Sequence, residues 1–167
     1  MEFAFIGDYS GINSAYKRML QNRGHTAVLI SEGDGYKNYP RDINIIKKEY
    51  KSFALKLVDL ILSFAGLKGI FNYHKNKHKF DDLENMDAIF VVNPIAIESF
   101  GVVGNYLLFK KLRNNNKKIF LQAVGDDYYW VKYCLEKGFD CSPLDSLTLR
   151  NIHKHLFSLR YVFGIGY

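Results

Sequence analysis

The chain contains few cysteines, few prolines and no apolar run long enough to cross a membrane. Only two cysteines and three prolines occur among its 167 residues. These counts are not typical of a secreted disulfide scaffold or of a proline-rich disordered chain. The longest apolar run, Phe53 to Leu67, is interrupted by two charged residues and is shorter than the roughly 20 residues of a membrane span. We therefore expect a cytoplasmic protein.

Signals for export and for metal or nucleotide binding are also missing. Residues 1–6 include Glu2 and are followed at once by Gly7, unlike the basic start and long apolar core of a signal peptide. Neither the dinucleotide fingerprint G-x-G-x-x-G nor a Walker A loop occurs in the turn that follows. His74 and His78 lack the intervening glutamate of a metalloprotease, so we predict no metal site there.

Apolar and aromatic residues are abundant. The chain is 48% hydrophobic, 16% aromatic and 24% charged, which is typical of a folded protein, and its length predicts a single domain over residues 1–167. The formal net charge of +6 favours phosphates, whether on nucleic acid, anionic lipid or a sugar nucleotide. No nucleic-acid reader motif is present, so we expect no nucleic-acid partner.

Short apolar runs alternate with helical patterns along the chain. Strands are predicted near residues 3–7, 26–30, 87–93 and 118–124. Helices are predicted at residues 12–22, 46–70, 106–112, 130–137 and 144–156, with an exposed basic connection at 72–79 and a last strand at 160–167. This alternation predicts an α/β domain with a Rossmann-like parallel sheet and helices on both faces.

The turn after the first strand has the position of an anion-binding site. Gly7 to Gly11 joins that strand to a helix, whose unpaired N–H groups and dipole favour a phosphate. The alternative is a tight turn in which Ser10 caps the helix. With the other glycine-containing turns, this segment supplies the candidate ligand-binding residues Gly7, Tyr9, Ser10, Gly11, Gly33, Gly35, Gly125 and Asp127.

Several segments, taken in order, resemble the N-terminal domain of GT-B glycosyltransferases. Gly7-Asp8-Tyr9-Ser10-Gly11, followed by Arg23-Gly24-His25, is similar to their opening strand, glycine-containing turn and helix ending in Arg-Gly-His. Residues 33–42 resemble the loop after strand two in glycosyltransferase-like proteins of bacterial surface-polysaccharide clusters. Gly125-Asp126-Asp127 resembles the strand-terminal Gly-Asp that faces the cleft between the domains of such enzymes.

The resemblance implies the acceptor-binding half of a glycosyltransferase, inactive without a donor-binding half. Its partners would be a nucleotide-sugar donor, held mostly by a second Rossmann-like domain absent from this sequence, and a glycan or lipid-linked acceptor. Enzymes of this family generally need no bound metal, so no cofactor is expected. The alternative is a catalytically silent Rossmann-like module that binds a phosphate-bearing ligand or a protein partner.

Aspartates on the expected carboxyl-edge loops are the candidates for a catalytic base. An inverting transferase needs a base that deprotonates the acceptor hydroxyl. Asp126, Asp8 and Asp34 are the candidates, and Asp126 ranks first because it follows a predicted buried strand. The alternative role for each is to cap a helix or fix a turn.

A predicted helix between residues 50 and 71 is apolar around most of its circumference and also carries lysines. A core helix gives this pattern. A helix that rests on an anionic membrane would look similar, and a lipid-linked acceptor would suit such contact. Peripheral association with the inner face of the membrane is therefore the alternative location.

Overall fold

The computed structural model describes residues 1–33, 39–45, 67–124, 128–136, 142, 144–145 and 147–148. The chain divides into two compact units, Met1–Gln122 and Ala123–Tyr167. The assignment of all 167 residues to one domain stays a prediction. Within the described residues, no helix combines the length and the apolar character that a membrane crossing requires.

Strands and helices alternate along the first unit, as the sequence predicts. The elements are β1 (Glu2–Ile6), α1 (Ile12–Asn22), β2 (Thr26–Ser31), β3 (Ile43–Asn44), α2 (Leu67–Asn76), β4 (Ala88–Val92), α3 (Gly101–Asn115) and β5 (Ile119–Gln122), with 3-10 helices at Lys77–Phe80 and Glu98–Phe100. The first four predicted strands correspond to β1, β2, β4 and β5. The two-residue strand β3 was not predicted.

All five strands are parallel and lie in the order β3-β2-β1-β4-β5. The chain therefore starts in the middle of the sheet, builds outward through β2 and β3, and crosses back to β4. Because β1-α1-β2 and β4-α3-β5 step in opposite directions, right-handed crossovers place α1 and α3 on opposite faces. The predicted α/β class, a Rossmann-like parallel sheet with helices on both faces, is confirmed. Between β1 and β4 the direction of winding reverses.

A row of stacked aromatic rings covers the sheet face that packs against α1. The ring of Phe5 stacks on Tyr16 and Phe90 at centroid distances of 6.5 and 5.3 Å, and Phe90 continues the row to Phe120 at 5.2 Å. Phe120 is 49% exposed, and the row borders an open apolar cleft of about 450 Å³. Buried aliphatic side chains cover the opposite face: Ala4, Ile6, Ile30, Ile89 and Val91.

The predictions for residues 66–79 were wrong in one respect. The long helix predicted over residues 46–70 was expected to stop at Gly66 or Gly69, with an irregular connection after it. Instead α2 passes through Gly69 to Asn76, and a 3-10 helix follows directly. Tyr73 and Phe80 are buried on this segment and set their rings edge-on against Phe100. This apolar anchoring holds the basic segment in helical conformation. Residues 46–66 lie outside the described residues.

Glycines allow α2 and α3 to approach closely. A Cβ atom at Gly69 would lie 2.0 Å from the carbonyl oxygen of Phe100, and one at Gly104 would lie 2.7 Å from the carbonyl oxygen of Gly69. Neither contact is sterically permitted, so only glycine fits at the two positions. Gly69 thus marks a helix crossing, whereas the sequence pattern was interpreted as a helix end.

Lys111 links α3 to the 3-10 helix that follows α2. Its ammonium forms an ion pair with Asp81 and donates a hydrogen bond to the carbonyl oxygen of Lys77 at 3.2 Å. The hydrogen bond from Lys111 holds the pKa of the Asp81 carboxyl below its ordinary value. A carboxyl with a lowered pKa stabilises the fold above its ordinary pKa, and this contribution is lost as pH falls through the lowered value.

The second unit contains α4 (Tyr128–Leu135) and a short turn. A helix was predicted from Leu144 onward, but Leu144 and Asp145 lie in a turn and Leu147 is not helical. The Asp145 carboxylate accepts a hydrogen bond from the Ser142 backbone N–H at 2.6 Å, and the Ser142 hydroxyl oxygen accepts one from the Leu144 N–H at 3.0 Å. Both polar side chains therefore fix the turn. The remaining residues of that predicted helix, and the predicted last strand, lie outside the described residues.

Replacing Gly69 with alanine should destabilise the protein, although the same change in an open helix stabilises by about 1 kcal/mol. The added methyl group must push α2 away from Phe100, and such overpacking costs about 1 to 3 kcal/mol. Urea unfolding of G69A beside V103A, at an exposed position on α3, would measure this. Unchanged or increased stability of G69A would contradict the close crossing.

Replacing Lys111 with alanine should raise the pKa of Asp81 toward its ordinary value, because the hydrogen bond and the nearby positive charge are both removed. NMR titration of the aspartate side-chain carboxyl would report the change. Lys110, the adjacent exposed lysine, provides the matched control, since K110A should leave the pKa of Asp81 where it is in the wild type. An Asp81 pKa that does not respond to K111A would show that the ion pair does not form.

Candidate functional site

Gly7 brings the ends of β1 and β4 into direct contact. A Cβ atom at this position would lie 2.2 Å from Val92 Cγ1 and 2.8 Å from the carbonyl oxygen of Ala96. The backbone φ of 79° is also a conformation that favours glycine. The backbone N–H of Gly7 donates to the carbonyl oxygen of Ile30 at 2.8 Å. The loops after β1 and β4 therefore meet where the strand order reverses, which is where ligands bind in open α/β sheets.

Asp8 occupies the N-terminus of α1 with its own carboxylate. The side chain is 6% exposed and accepts hydrogen bonds from the Asn13 backbone N–H at 3.0 Å and the Ser14 hydroxyl at 2.6 Å. A negative charge here is stabilised by the free N–H groups and the dipole of the helix. Asp8 thus fills the position at which a phosphate was predicted to bind, and its contacts are those of a helix-capping residue.

Asn13 and Ser14 complete this buried polar cluster. The Asn13 amide nitrogen donates to the carbonyl oxygen of Gly7 at 2.8 Å. Its Oδ1 is buried and has no hydrogen-bond partner in the part of the chain that the structure describes. Sequence reasoning did not select either residue. The signal was their position directly after a glycine-containing turn, since Asn and Ser side chains commonly bond the backbone around helix starts.

The other predicted residues of this loop surround the cap. The Tyr9 carbonyl oxygen accepts a hydrogen bond from the Ile12 N–H at 3.2 Å, and Ser10 is exposed with a φ of 53°. Gly11 stands at the N-cap position of α1. A Cβ atom there would lie 2.8 Å from the Tyr39 ring, so residues 39–42 pass directly over the turn.

Residues 39–42 form a strap that is fixed to both β2 and α1. The Asp42 N–H donates to the carbonyl oxygen of Leu29 at 3.0 Å, and the Leu29 N–H donates back to Asp42 Oδ2 at 2.7 Å. The other carboxylate oxygen of Asp42 pairs with Lys17 of α1 at 2.5 Å. The carbonyl oxygen of Pro40 lies 3.2 Å from the Ser14 hydroxyl. These contacts fix the strap along the edge of β2.

Arg41, on this strap, places its guanidinium against Gly33 at the end of β2. A Cβ atom at Gly33 would lie 2.6 Å from Arg41 Nη1, and the φ of Gly33 is 88°. The hydrogen bond from Nη1 to the carbonyl oxygen of Tyr39 is long, at 3.5 Å. Among the described residues, the buried Nε atom has no partner and no carboxylate forms an ion pair with Arg41.

The loop after β4 is held from two sides. Both carboxylate oxygens of Glu32 accept from the Ser99 N–H, at 3.2 and 3.1 Å, which joins the end of β2 to this loop. Asn105 of α3 is almost fully buried. Its amide nitrogen donates to the carbonyl oxygens of Ile97 and Gly101 at 2.7 and 2.6 Å, and its Oδ1 accepts from the Ile97 N–H at 3.1 Å.

The structure thus brings part of the predicted site together. The six predicted residues that it describes lie in the loops after β1 and β2: Gly7, Asp8, Tyr9, Ser10, Gly11 and Gly33. The other five lie outside the described residues: Asp34, Gly35, Gly125, Asp126 and Asp127. His25 packs its ring edge-on against Phe3 at 5.7 Å, as a residue at the start of β2. No group of three metal-ligating side chains occurs in the described part of the chain.

Replacing Asp8 with asparagine should destabilise the protein by about 1 to 2 kcal/mol, because the helix start loses its charged acceptor. Thermal or urea unfolding would measure the change. Asp82 is exposed in a turn away from the site, and D82N should change stability by no more than about 0.5 kcal/mol. Equal stability of D8N and the wild type would show that the cap does not support the fold.

The described carboxyl edge therefore consists of three loops fixed by buried or partly buried hydrogen bonds, with the Arg41 guanidinium close to the one after β2. Comparison with known protein families, with curated proteins and with solved structures finds no match to this chain.

Proposed function

We propose that the chain is the acceptor-binding half of a glycosyltransferase, which transfers a sugar from a nucleotide sugar to a glycan or lipid-linked acceptor. The observation that supports this most is the meeting of the loops after β1, β2 and β4 at the carboxyl edge of a parallel sheet with the order β3-β2-β1-β4-β5. Ligands bind at this edge in open α/β folds. The segments that resemble GT-B enzymes include the loop after β1 and residues 33–42.

In this function the described loops act as a rigid surface that positions the acceptor. Gly7 keeps the two central loops in contact, and Glu32 and Asn105 fix the loop after β4. Fixed loops hold a bound hydroxyl in a reactive orientation, and no conformational entropy is lost by ordering them at each turnover. The nucleotide sugar would be held mostly by a second Rossmann-like domain, and transfer would take place without a bound metal.

The general base is assigned to Asp126 in this proposal. Asp8 was also a candidate, but both of its carboxylate oxygens are engaged with the first turn of α1. A carboxylate that is needed for that cap would lose its stabilising bonds on taking up a proton. Asp126 and Asp34 remain, and Asp126 follows the segment that contains β5. A base in this position contributes roughly a hundredfold or more in rate.

A lipid-linked acceptor would place the protein at the inner face of the cytoplasmic membrane. The lysine-bearing apolar segment that the sequence predicts between residues 50 and 71 would then contact anionic lipid. This location is part of the proposal, and that segment lies almost wholly outside the described residues.

One observation favours a second function, that of a catalytically silent binding module. Two described acidic side chains of the carboxyl-edge loops serve the fold: Asp8 caps α1 and Glu32 binds the Ser99 N–H. A module of this kind would bind a phosphate-bearing ligand or a protein partner through the same edge without turnover.

Transfer assays separate the two functions. The 167-residue chain alone should neither transfer nor hydrolyse any nucleotide sugar, because the donor site lies elsewhere. In the protein that includes the donor-binding half, D126N should reduce kcat by roughly a hundredfold or more with little change in Tm.

The matched variants in that assay are D8N and D82N. D8N should lower Tm and leave kcat of the folded fraction largely unchanged, whereas D82N should alter neither. Turnover by the isolated chain would contradict the half-enzyme proposal. Full activity of D126N would remove the assignment of the base, and inactivity of the two-domain protein towards all donors would favour the binding module.

A further inference from the structure

Arg41 stands on an anchored strap and has no anionic partner among the described residues. We propose that Arg41 binds a phosphate group of the ligand at the carboxyl end of β2. The site consists of the guanidinium, the backbone of Gly33 on which it rests, and the strap that carries it. The identification of the anion as a phosphate rests on the proposed function; the presence of an anion-binding site does not.

The backbone that carries Arg41 is fixed before any ligand arrives. On one side of it, the Tyr39 ring covers Gly11. On the other side, Asp42 is bound to Leu29 of β2 through both its backbone and its side chain. The guanidinium itself lies close to the backbone of Gly33. A backbone held in this way needs little ordering on binding, which favours affinity.

The neighbouring carboxylates are engaged in other contacts. Asp42 pairs with Lys17 and accepts from the Leu29 N–H, Asp8 caps α1, and Glu32 accepts from the Ser99 N–H. None of the three neutralises Arg41. The guanidinium stays charged at any physiological pH, and its buried Nε proton has no acceptor among the described residues. An oxyanion supplies both the missing charge and the missing acceptor.

Phosphate suits this position for two reasons. The planar fork of an arginine matches two oxygens of a phosphate and forms short, charge-assisted hydrogen bonds with them. In addition, both substrates of the proposed function carry phosphate: the donor has a diphosphate, and a lipid-linked acceptor has a phosphate or diphosphate. In this fold class, phosphate usually binds at the start of the first helix. Here the Asp8 carboxylate already occupies that position, so Arg41 is the group that binds the phosphate in our proposal.

Binding of inorganic pyrophosphate and of uridine diphosphate to the full 167-residue chain tests the proposal by isothermal titration calorimetry. The wild type should bind pyrophosphate, and R41Q should bind it at least tenfold more weakly. R41K should fall between them, because lysine keeps the charge and loses the fork. Arg18 is exposed on α1, and R18Q should bind like the wild type. Circular dichroism and Tm confirm that each variant is folded.

Vesicles distinguish the source of the phosphate. Cosedimentation with anionic phosphatidylglycerol vesicles, compared with zwitterionic phosphatidylcholine vesicles, tests a lipid phosphate whose charge is not balanced by choline. The soluble probes test a diphosphate of the donor type. Loss of binding in R41Q with either phosphate source supports the proposal and names the source.

Three results would overturn the proposal. The first is a wild type that binds none of the probes: pyrophosphate, uridine diphosphate or anionic vesicles. The second is binding by R41Q that equals that of the wild type, and the third is binding of glucuronate through Arg41 as tight as that of pyrophosphate. The last result would make the ligand a carboxylate. These titrations need no turnover. Suppose that phosphate binding depends on Arg41 but the two-domain protein is inactive. That result would contradict the proposed transferase function and would still support the phosphate site at Arg41.

Discussion

The contact between Gly7 and the end of β4 is the constraint on which the candidate site depends. With Val92 Cγ1 and the Ala96 carbonyl oxygen so close to the position of a Cβ atom, only the smallest residue lets the two central strands end side by side. Because the chain leaves Gly7 in a left-handed conformation, Asp8 turns back toward the start of α1 and caps it. The shape of the loop and the position of the helix thus follow from one close approach.

The acidic and the basic side chains at this edge of the sheet have different roles. Three acidic groups fix loops by binding backbone N–H groups: Asp8, Glu32 and Asp42 each accept a hydrogen bond from one. Among the described residues, no carboxylate pairs with Arg41 and its Nε atom has no acceptor. These carboxylates therefore fix the loops, whereas our proposal assigns the Arg41 guanidinium to ligand binding. This division agrees with the positive net charge of the whole chain.

The sheet could be predicted from the sequence because parallel strands are short continuous apolar runs, and β1, β2, β4 and β5 have this pattern. The prediction that the last of these strands is buried was wrong: Phe120 and Leu121 of β5 are about half exposed. The strand β3 has only two residues, too few for any periodicity. Gly69 was misjudged because a glycine at a helix crossing and a glycine at a helix end look alike in sequence. The turn at Gly7 was located correctly, but the partner of Asp8 depends on the path of the backbone. Arg41 carried no local signal, since its contact with Gly33 is made only when the strap folds back.

Within the described residues, the bonds that Asp42 makes with Leu29 also occupy polar groups at the outer side of β2. Beyond the two-residue strand β3, the outer side of β2 would present unpaired N–H and carbonyl groups that another chain could extend. Asp42 takes up both polar groups of Leu29, and the Gln21 side chain donates to the Ala27 carbonyl oxygen at 3.2 Å. An incoming strand would have to displace these bonds before it could pair. The short strap therefore blocks edge-to-edge strand addition at this part of β2.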